Sequence, residues 1–283
     1  MTGFVRWFAA GVLGLTAVRL AYFGSHDLFG HSALRRENYR GRTVVTAAGI
    51  LVVVAVLFAA AGRSVVAALG PGADEGLDGA QALMIVAVIG FAFLGLIDDL
   101  LGAEDTRGFR GHVRAAFRGR LTTGFVKLAG GGALAVVLVA APGFATGRRL
   151  IVDAVLIALA ANLGNLLDRA PGRVGKVGFV AYVPLAVALG ASDIGVALAV
   201  VMGAFLGLLR DDLGERIMLG DTGANALGGA LGLAVVLGCG AGVRLGVLGV
   251  LVTLNLAAEF VSFSRVIETT PPLRAFDRLG RRP

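Results

Sequence analysis

The chain has 283 residues, 57% of them hydrophobic and 16% charged, well short of the quarter charged residues usual in a soluble domain. With a mean hydropathy of +0.83 and apolar runs of membrane-crossing length along its whole extent, it reads as an integral membrane protein. Its net charge of +7 lies largely in alternate loops on one side of the membrane, facing lipid headgroups and any phosphorylated substrate, so no nucleic-acid partner is expected.

Nine spans are expected, at about 4–23, 44–62, 80–98, 121–141, 150–167, 177–190, 193–209, 223–240 and 244–263. The fold class is therefore all-α: a polytopic bundle of about nine transmembrane helices, with residues 1–263 as one bundle and 264–283 as a basic tail. The first run carries Arg6 ahead of its apolar stretch. No small-x-small cleavage site precedes "GSHDLFGHSALRRENYRGR", so it reads as a retained helix rather than a signal peptide. The 44 glycines, many inside apolar runs, suit helices packed backbone to backbone. The single Cys239 excludes an internal disulfide and a thiolate metal cluster.

Of the 26 lysines and arginines, nineteen fall in the loops 24–43, 100–120, 169–176 and 210–222 and in the tail, against five on the other side. Positive residues stay cytoplasmic, so the N-terminus is expected outside and the C-terminus in the cytoplasm.

Acidic and amide groups then gather at one face. Asp98 and Asp99 end the third span in "FLGLIDDLLG". The fifth ends in "NLGNLLDRAPGR", where Asn162, Asn165 and Asp168 form a slanting polar stripe at i, i+3 and i+6. Asp221, in "LGDTGANALGGALG", opens the eighth. Several carboxylates in one pocket repel one another unless a cation offsets them or some are protonated. Mg²⁺ takes one or two carboxylates together with substrate phosphate oxygens. A helix N-terminus at "GDTG" favours phosphate, and Lys127, about one turn into the fourth span, can reach a diphosphate. Together these features point to metal-assisted phosphoryl transfer at the inner membrane surface, with a basic rim suited to an anionic substrate.

Blander readings exist for each part. Paired aspartates at a helix end are often solvated, Asn162 and Asn165 could be interhelical glue, and Lys127 could simply snorkel. "GDTG" alone is an ordinary helix cap. Asp211, Asp212 and Glu215 read as a solvated loop without a catalytic role, and His26, His31 and His112 as exposed.

The order "DD", then Lys, then Asn-x-x-Asn-x-x-Asp, then "LGDTGANALGGALG" resembles the polyprenyl-phosphate N-acetylhexosamine-1-phosphate transferases. That family includes the phospho-N-acetylmuramoyl-pentapeptide transferase of peptidoglycan synthesis. The resemblance runs from "NYRGRTVVTAAG" to the tail and implies transfer of a sugar 1-phosphate from a UDP-sugar to a polyprenyl phosphate such as undecaprenyl phosphate, with Mg²⁺ and release of UMP. By position it implies Asp98, Asp99 and Asp168 as catalytic residues and Asp221, with Asp99, at the metal. Lys127, Asn162 and Asn165 fall at its substrate-binding positions. The implied partners are the lipid phosphate, the UDP-sugar and the membrane, and a homodimer is left open. The chain departs from the pattern where "DRAPGR" replaces a repeated Asp-Gly, and where "VIETTPPLRAFDRLGRRP" stands in place of a histidine cluster. Arg274, after "TTPP", is the tail residue expected to bind the donor diphosphate. Two rival readings are a non-catalytic protein that holds a polyprenyl phosphate, and a transporter with carboxylates as ion sites.

Overall fold

The computed structural model describes residues 3–70, 77–102, 119, 122–141 and 147–282. Each of the nine expected spans overlaps a helix, the second shifted from 44–62 because 43–45 form a strand: α1 (Gly3–Gly24), α3 (Ile50–Leu69), α4 (Gly79–Leu101), α5 (Thr123–Val139), α6 (Arg148–Leu167), α7 (Arg173–Leu189), α8 (Asp193–Leu213), α9 (Gly220–Gly238) and α10 (Ala241–Ala258). Six of these, α1, α3, α4, α6, α8 and α10, are long and apolar enough to cross a membrane. Phe4, Phe8, Phe58, Leu69, Val250 and Leu256 stand exposed on the outer helices, as expected of a surface solvated by lipid tails.

The centre is α9, which packs on α4, α6, α7 and α8, with its residues from Gly223 to Ala230 all buried. Small side chains allow this. A Cβ at Gly95 of α4 would overlap the Asp221 carbonyl, so only glycine lets those two backbones meet. Along the other flank, α1 lies on α8, where a Cβ at Gly203 would overlap the Gly11 carbonyl.

Three features add to the all-α expectation. After the short helix α2 (His26–Gly30), β1 (Arg35–Glu37) and β2 (Thr43–Val45) form an antiparallel hairpin. Its second strand continues to the chain before α9, because Met218 N–H donates to the Val45 carbonyl at 2.7 Å. The segment 264–282 is largely helical, in α11 (Phe263–Thr269) and α12 (Pro271–Arg278), with Pro271 at the start of α12, where its missing N–H costs nothing. It docks on the bundle through Arg173, whose guanidinium donates to both Asp277 carboxylate oxygens at 2.8 and 3.0 Å. Lys176 Nζ adds bonds to the carbonyls of Asp277 (2.5 Å) and Leu279 (3.1 Å).

The solvated-loop reading of 211–215 is corrected. Helix α8 runs past the expected end at about 209 to Leu213, and Asp211 and Asp212 are 1% and 3% exposed. Its partners account for it: Asp211 receives Arg19 of α1, far along the chain, at 2.5 Å and the nearby Arg216 at 2.9 Å. Asp212 accepts the Gly172 N–H at 3.0 Å, and Glu215 accepts from Asn38 of the hairpin turn at 2.8 Å. His112 and most of the basic 100–120 loop lie outside the described residues.

Candidate active site

The site forms where α4 and α6 end and α5 and α9 begin. Gly220 is the local key. Its φ of +69° is a left-handed value that favours glycine, and a Cβ there would meet an Asp99 carboxylate oxygen at 2.5 Å. With that space open, Asp99 reaches the first N–H groups of α9. It accepts from Asp221 N at 3.0 Å, from Thr222 N at 2.9 Å and from the Thr222 hydroxyl at 2.6 Å. Asp99 therefore satisfies orphan donors of one helix from the end of another. Thr222, which the sequence did not single out, is its principal partner.

Asp98, on the next position of α4, faces α5. Lys127 Nζ donates to Asp98 Oδ2 at 2.8 Å and also to Asp221 Oδ2, so one ammonium joins three helices. Its side chain is 15% exposed, against 21% for Asp98 and 27% for Asp221. Asn165 completes the set when its amide nitrogen faces α9: it donates to Asp221 Oδ2 at 3.0 Å and accepts from Lys127 Nζ at 3.0 Å. The simple snorkelling reading of Lys127 does not hold.

The polar stripe on α6 divides between two tasks. Asn165 points into this cluster, whereas Asn162 donates to Asn255 of α10 at 2.7 Å and joins two helices. Asp168 follows α6 and lines a cavity of about 390 Å³ with Glu37, Asp99, Asp212, Glu215 and Asp221. Arg169 is the one basic residue in the described wall. The described wall itself is strongly acidic, and arginines of the hairpin stand beside it: Arg36 donates to the Asp99 and Leu100 carbonyls, and Arg40 and Arg42 pair with Glu215 at 3.3 and 4.0 Å. Burial, together with the charges of Asp212, Asp221 and Asp99, holds the Asp168 carboxyl well above its usual range, and Arg169 offsets only part of this. Among the described residues no group of three or more acidic, histidine or cysteine side chains is arranged to hold a metal ion by protein ligands alone. Arg274 lies outside the cavity wall, exposed, with the Glu268 carbonyl 3.5 Å away.

No family model matches the chain. Curated relatives do. The phospho-N-acetylmuramoyl-pentapeptide-transferase of Geobacillus thermodenitrificans (strain NG80-2) is 31% identical over 165 residues, 55% of this chain and 51% of the relative. Proteins with the same name from Halalkalibacterium halodurans and Geobacillus sp. (strain WCH70) are 27% identical over 206 residues and 28% identical over 222. These cover 67% and 70% of this chain and 63% and 66% of the relatives. These matches, at low identity, are to proteins of the transferase family that the motifs resemble. The chain spans about half the length of the first of these curated relatives.

Proposed function

We propose that the chain is a membrane phosphoglycosyl transferase that moves a sugar 1-phosphate, of N-acetylhexosamine type, from a UDP-sugar to a polyprenyl phosphate and releases UMP. The observation that carries this reading is the acidic cavity at the helix ends, with Asp221 and Asp168 in its wall and the Lys127 bridge beside it. Carboxylates in excess of the cations beside them suit a site completed by a divalent cation and a phosphorylated substrate. The positions of Asp98, Lys127, Asn165 and Asp221 in the motif order, and the names of the relatives, supply the reaction class.

Mg²⁺ fits here through the donor set. Asp221 is part-exposed at the wall and would hold the ion together with substrate phosphate oxygens, whereas both Asp99 oxygens already accept hydrogen bonds from α9. When bound, the ion would neutralise charge on the donor diphosphate. The remaining work falls to the chain. An oxygen of the lipid phosphate attacks the sugar-linked phosphorus, the bond to UMP breaks, and UMP leaves with the electron pair. Lys127 offers the diphosphate a fixed cation whose position Asp98 and Asn165 set. Asp168, whose carboxyl titrates above the usual range, accepts a proton from a singly protonated lipid phosphate. Asp99 acts by holding the start of α9 in place.

The charge distribution supports a cytoplasmic site and an external N-terminus, and the bacterial relatives support a multi-pass location in a bacterial plasma membrane. The carboxylates lie at helix ends rather than near mid-membrane, which speaks against the transporter reading. The test is UMP release by the purified full chain from a panel of UDP-sugars, with and without undecaprenyl phosphate. The proposal expects release only with the lipid phosphate and for at least one N-acetylhexosamine donor. No release from any donor would favour a non-catalytic lipid-phosphate binder.

A further inference from the structure

The turn between α6 and α7 carries one wall of the acidic cavity: Asp168, Arg169, Ala170 and Pro171 all line it. Short-range bonds give the turn its shape. The Arg169 N–H donates to the Leu167 carbonyl at 2.8 Å, and the Arg173 N–H to the Ala170 carbonyl at 3.1 Å. Its placement against the rest of the bundle depends on other groups. Among the described residues, two hydrogen bonds tie 168–172 to elements other than α6 and α7. The Gly172 N–H donates to Asp212 of α8 at 3.0 Å, and Arg281 Nε donates to the Pro171 carbonyl at 2.9 Å.

The second bond comes from the chain after α12, 110 positions away. Pro171 has no N–H, so its carbonyl is the one backbone group by which that residue can be held. Arg281 is itself fixed. Its side chain is 9% exposed, and its guanidinium lies 2.6 Å from an Asp277 carboxylate oxygen, on the same carboxylate that Arg173 holds from α7. A guanidinium can serve both partners because its donors form a rigid planar fork. One part of the fork grips the docked tail, and Nε reaches the cavity wall.

We propose that Arg281 is a positioning residue of the transfer reaction, setting the 168–172 turn, and with it Asp168, against the substrates through the Pro171 carbonyl. The proposal rests on the reading of the cavity as the transfer site and of Asp168 as proton acceptor. Arg281 is not part of the cavity wall, so it acts through Pro171 and not on a substrate. A proton acceptor works only within hydrogen-bond reach of the proton it takes, and a shift of about 1 Å can cost about 100-fold in rate. Without Arg281, the Gly172 bond would be the one remaining tie of the turn to another element among the described residues. Lys127 and Asp221 stand on α5 and α9, joined to each other and not to this turn. The loss should therefore fall on kcat and spare the KM of both substrates. The tail then serves the site by holding its wall, a different task from the donor binding expected of Arg274.

The experiment compares wild type, Arg281→Ala, Arg281→Lys and Arg278→Ala as full chains, with UMP release expressed per folded molecule. Arg278 pairs with Glu268 at the tail surface and serves as the control. Arg281→Ala should lower kcat by about ten-fold or more, with both KM values within about two-fold of wild type. Arg281→Lys keeps a charge beside Asp277 and a single donor in place of the fork, so it should lose less. Arg278→Ala should match wild type. Independently of turnover, hydrogen exchange of 168–173 should be several-fold faster in Arg281→Ala and unchanged in Arg278→Ala. If Arg281→Ala does not fold, Arg281→Lys is read alone, and a kcat below wild type at unchanged KM is expected. Unchanged exchange of the turn, a wild-type kcat in every folded Arg281 variant, or a loss expressed only as raised KM would overturn the proposal. Each of these, with wild type active, leaves the transfer reading standing. No release by wild type would remove that reading and this proposal together.

Discussion

The two ends of the bundle handle charge in opposite ways. At the end away from the carboxylate cavity, acids are matched by bases: Asp153 lies between Arg149 at 3.2 Å and Arg244 at 2.7 Å, and Asp193 takes Arg6. At the other end six acidic residues share one cavity: Glu215 is paired with Arg40 and Arg42, but the wall itself holds a single arginine, and Lys127 is divided between two carboxylates. Matched ions hold helices together at little net gain. An acidic set in excess of its cations is a standing electrostatic cost, and such sets are candidates for sites where a bound cation completes the balance. The contrast separates residues that keep the bundle together from residues available for chemistry.

The sharpest way to break this contrast is to remove one acid at each end. Asp221→Asn should lower UMP release by about 100-fold or more, the scale seen when one transition-state-stabilising group is lost, with thermal stability retained. Asp153→Ala should do the reverse. It leaves Arg244, only 7% exposed, without its carboxylate and should cost about 3 to 5 kcal/mol of stability, while the folded fraction keeps its turnover. Equal effects of the two variants on both readouts would erase the distinction.

Within the site, Asp99 and Asp221 should also part. Asp99→Ala strips the start of α9 of an acceptor for three donors, and a thermal melt should show a loss of about 1 to 3 kcal/mol. If Asp99→Ala left the melt unchanged while abolishing turnover, Asp99 would belong with the chemistry.

The docked tail gives a pH test. Burial opposes ionisation of Asp277, but the hydrogen bonds and charge of Arg173, with Arg281 at 2.6 Å, outweigh it and hold the carboxyl below its usual range. Because the folded value is the lower one, the contribution of Asp277 is fully present above the unfolded carboxylate value of about 4 and is lost as pH falls through the folded value. Hydrogen exchange of 271–279, corrected for intrinsic rates, should stay slow from neutral pH down to about 5 and accelerate only below about 4. Release of the tail at pH 6 would place the latch elsewhere. The smallest effect should come from Arg274→Ala. Its side chain has only the Glu268 carbonyl nearby, so stability and donor KM should hardly move. A several-fold rise in donor KM alone would show that the tail reaches the donor.

Span positions were legible in the sequence because the length needed to cross hydrocarbon is a strong constraint on composition. Asp98, Lys127, Asn165 and Asp221 were legible as a group because helix direction places all four at one end. What escaped depended on partners far along the chain. Asp211 reads as a loop acid until Arg19, 192 positions away, is seen to cover it. Asn162 and Asn165 have the same residue type and similar spacing, and only Asn255 of α10 separates their tasks. The hairpin at 35–45 has strands of three residues each, too short to show a period of two.

The most direct test of the central claim is a Mg²⁺ titration of UMP release by wild type and Asp221→Asn, with undecaprenyl phosphate and the best donor. The acidic-cavity account predicts no release by wild type in chelator, saturable activation by Mg²⁺, and a large rightward shift or complete loss in Asp221→Asn. Wild-type release that persists in chelator, or an unchanged Mg²⁺ dependence in Asp221→Asn, would contradict it.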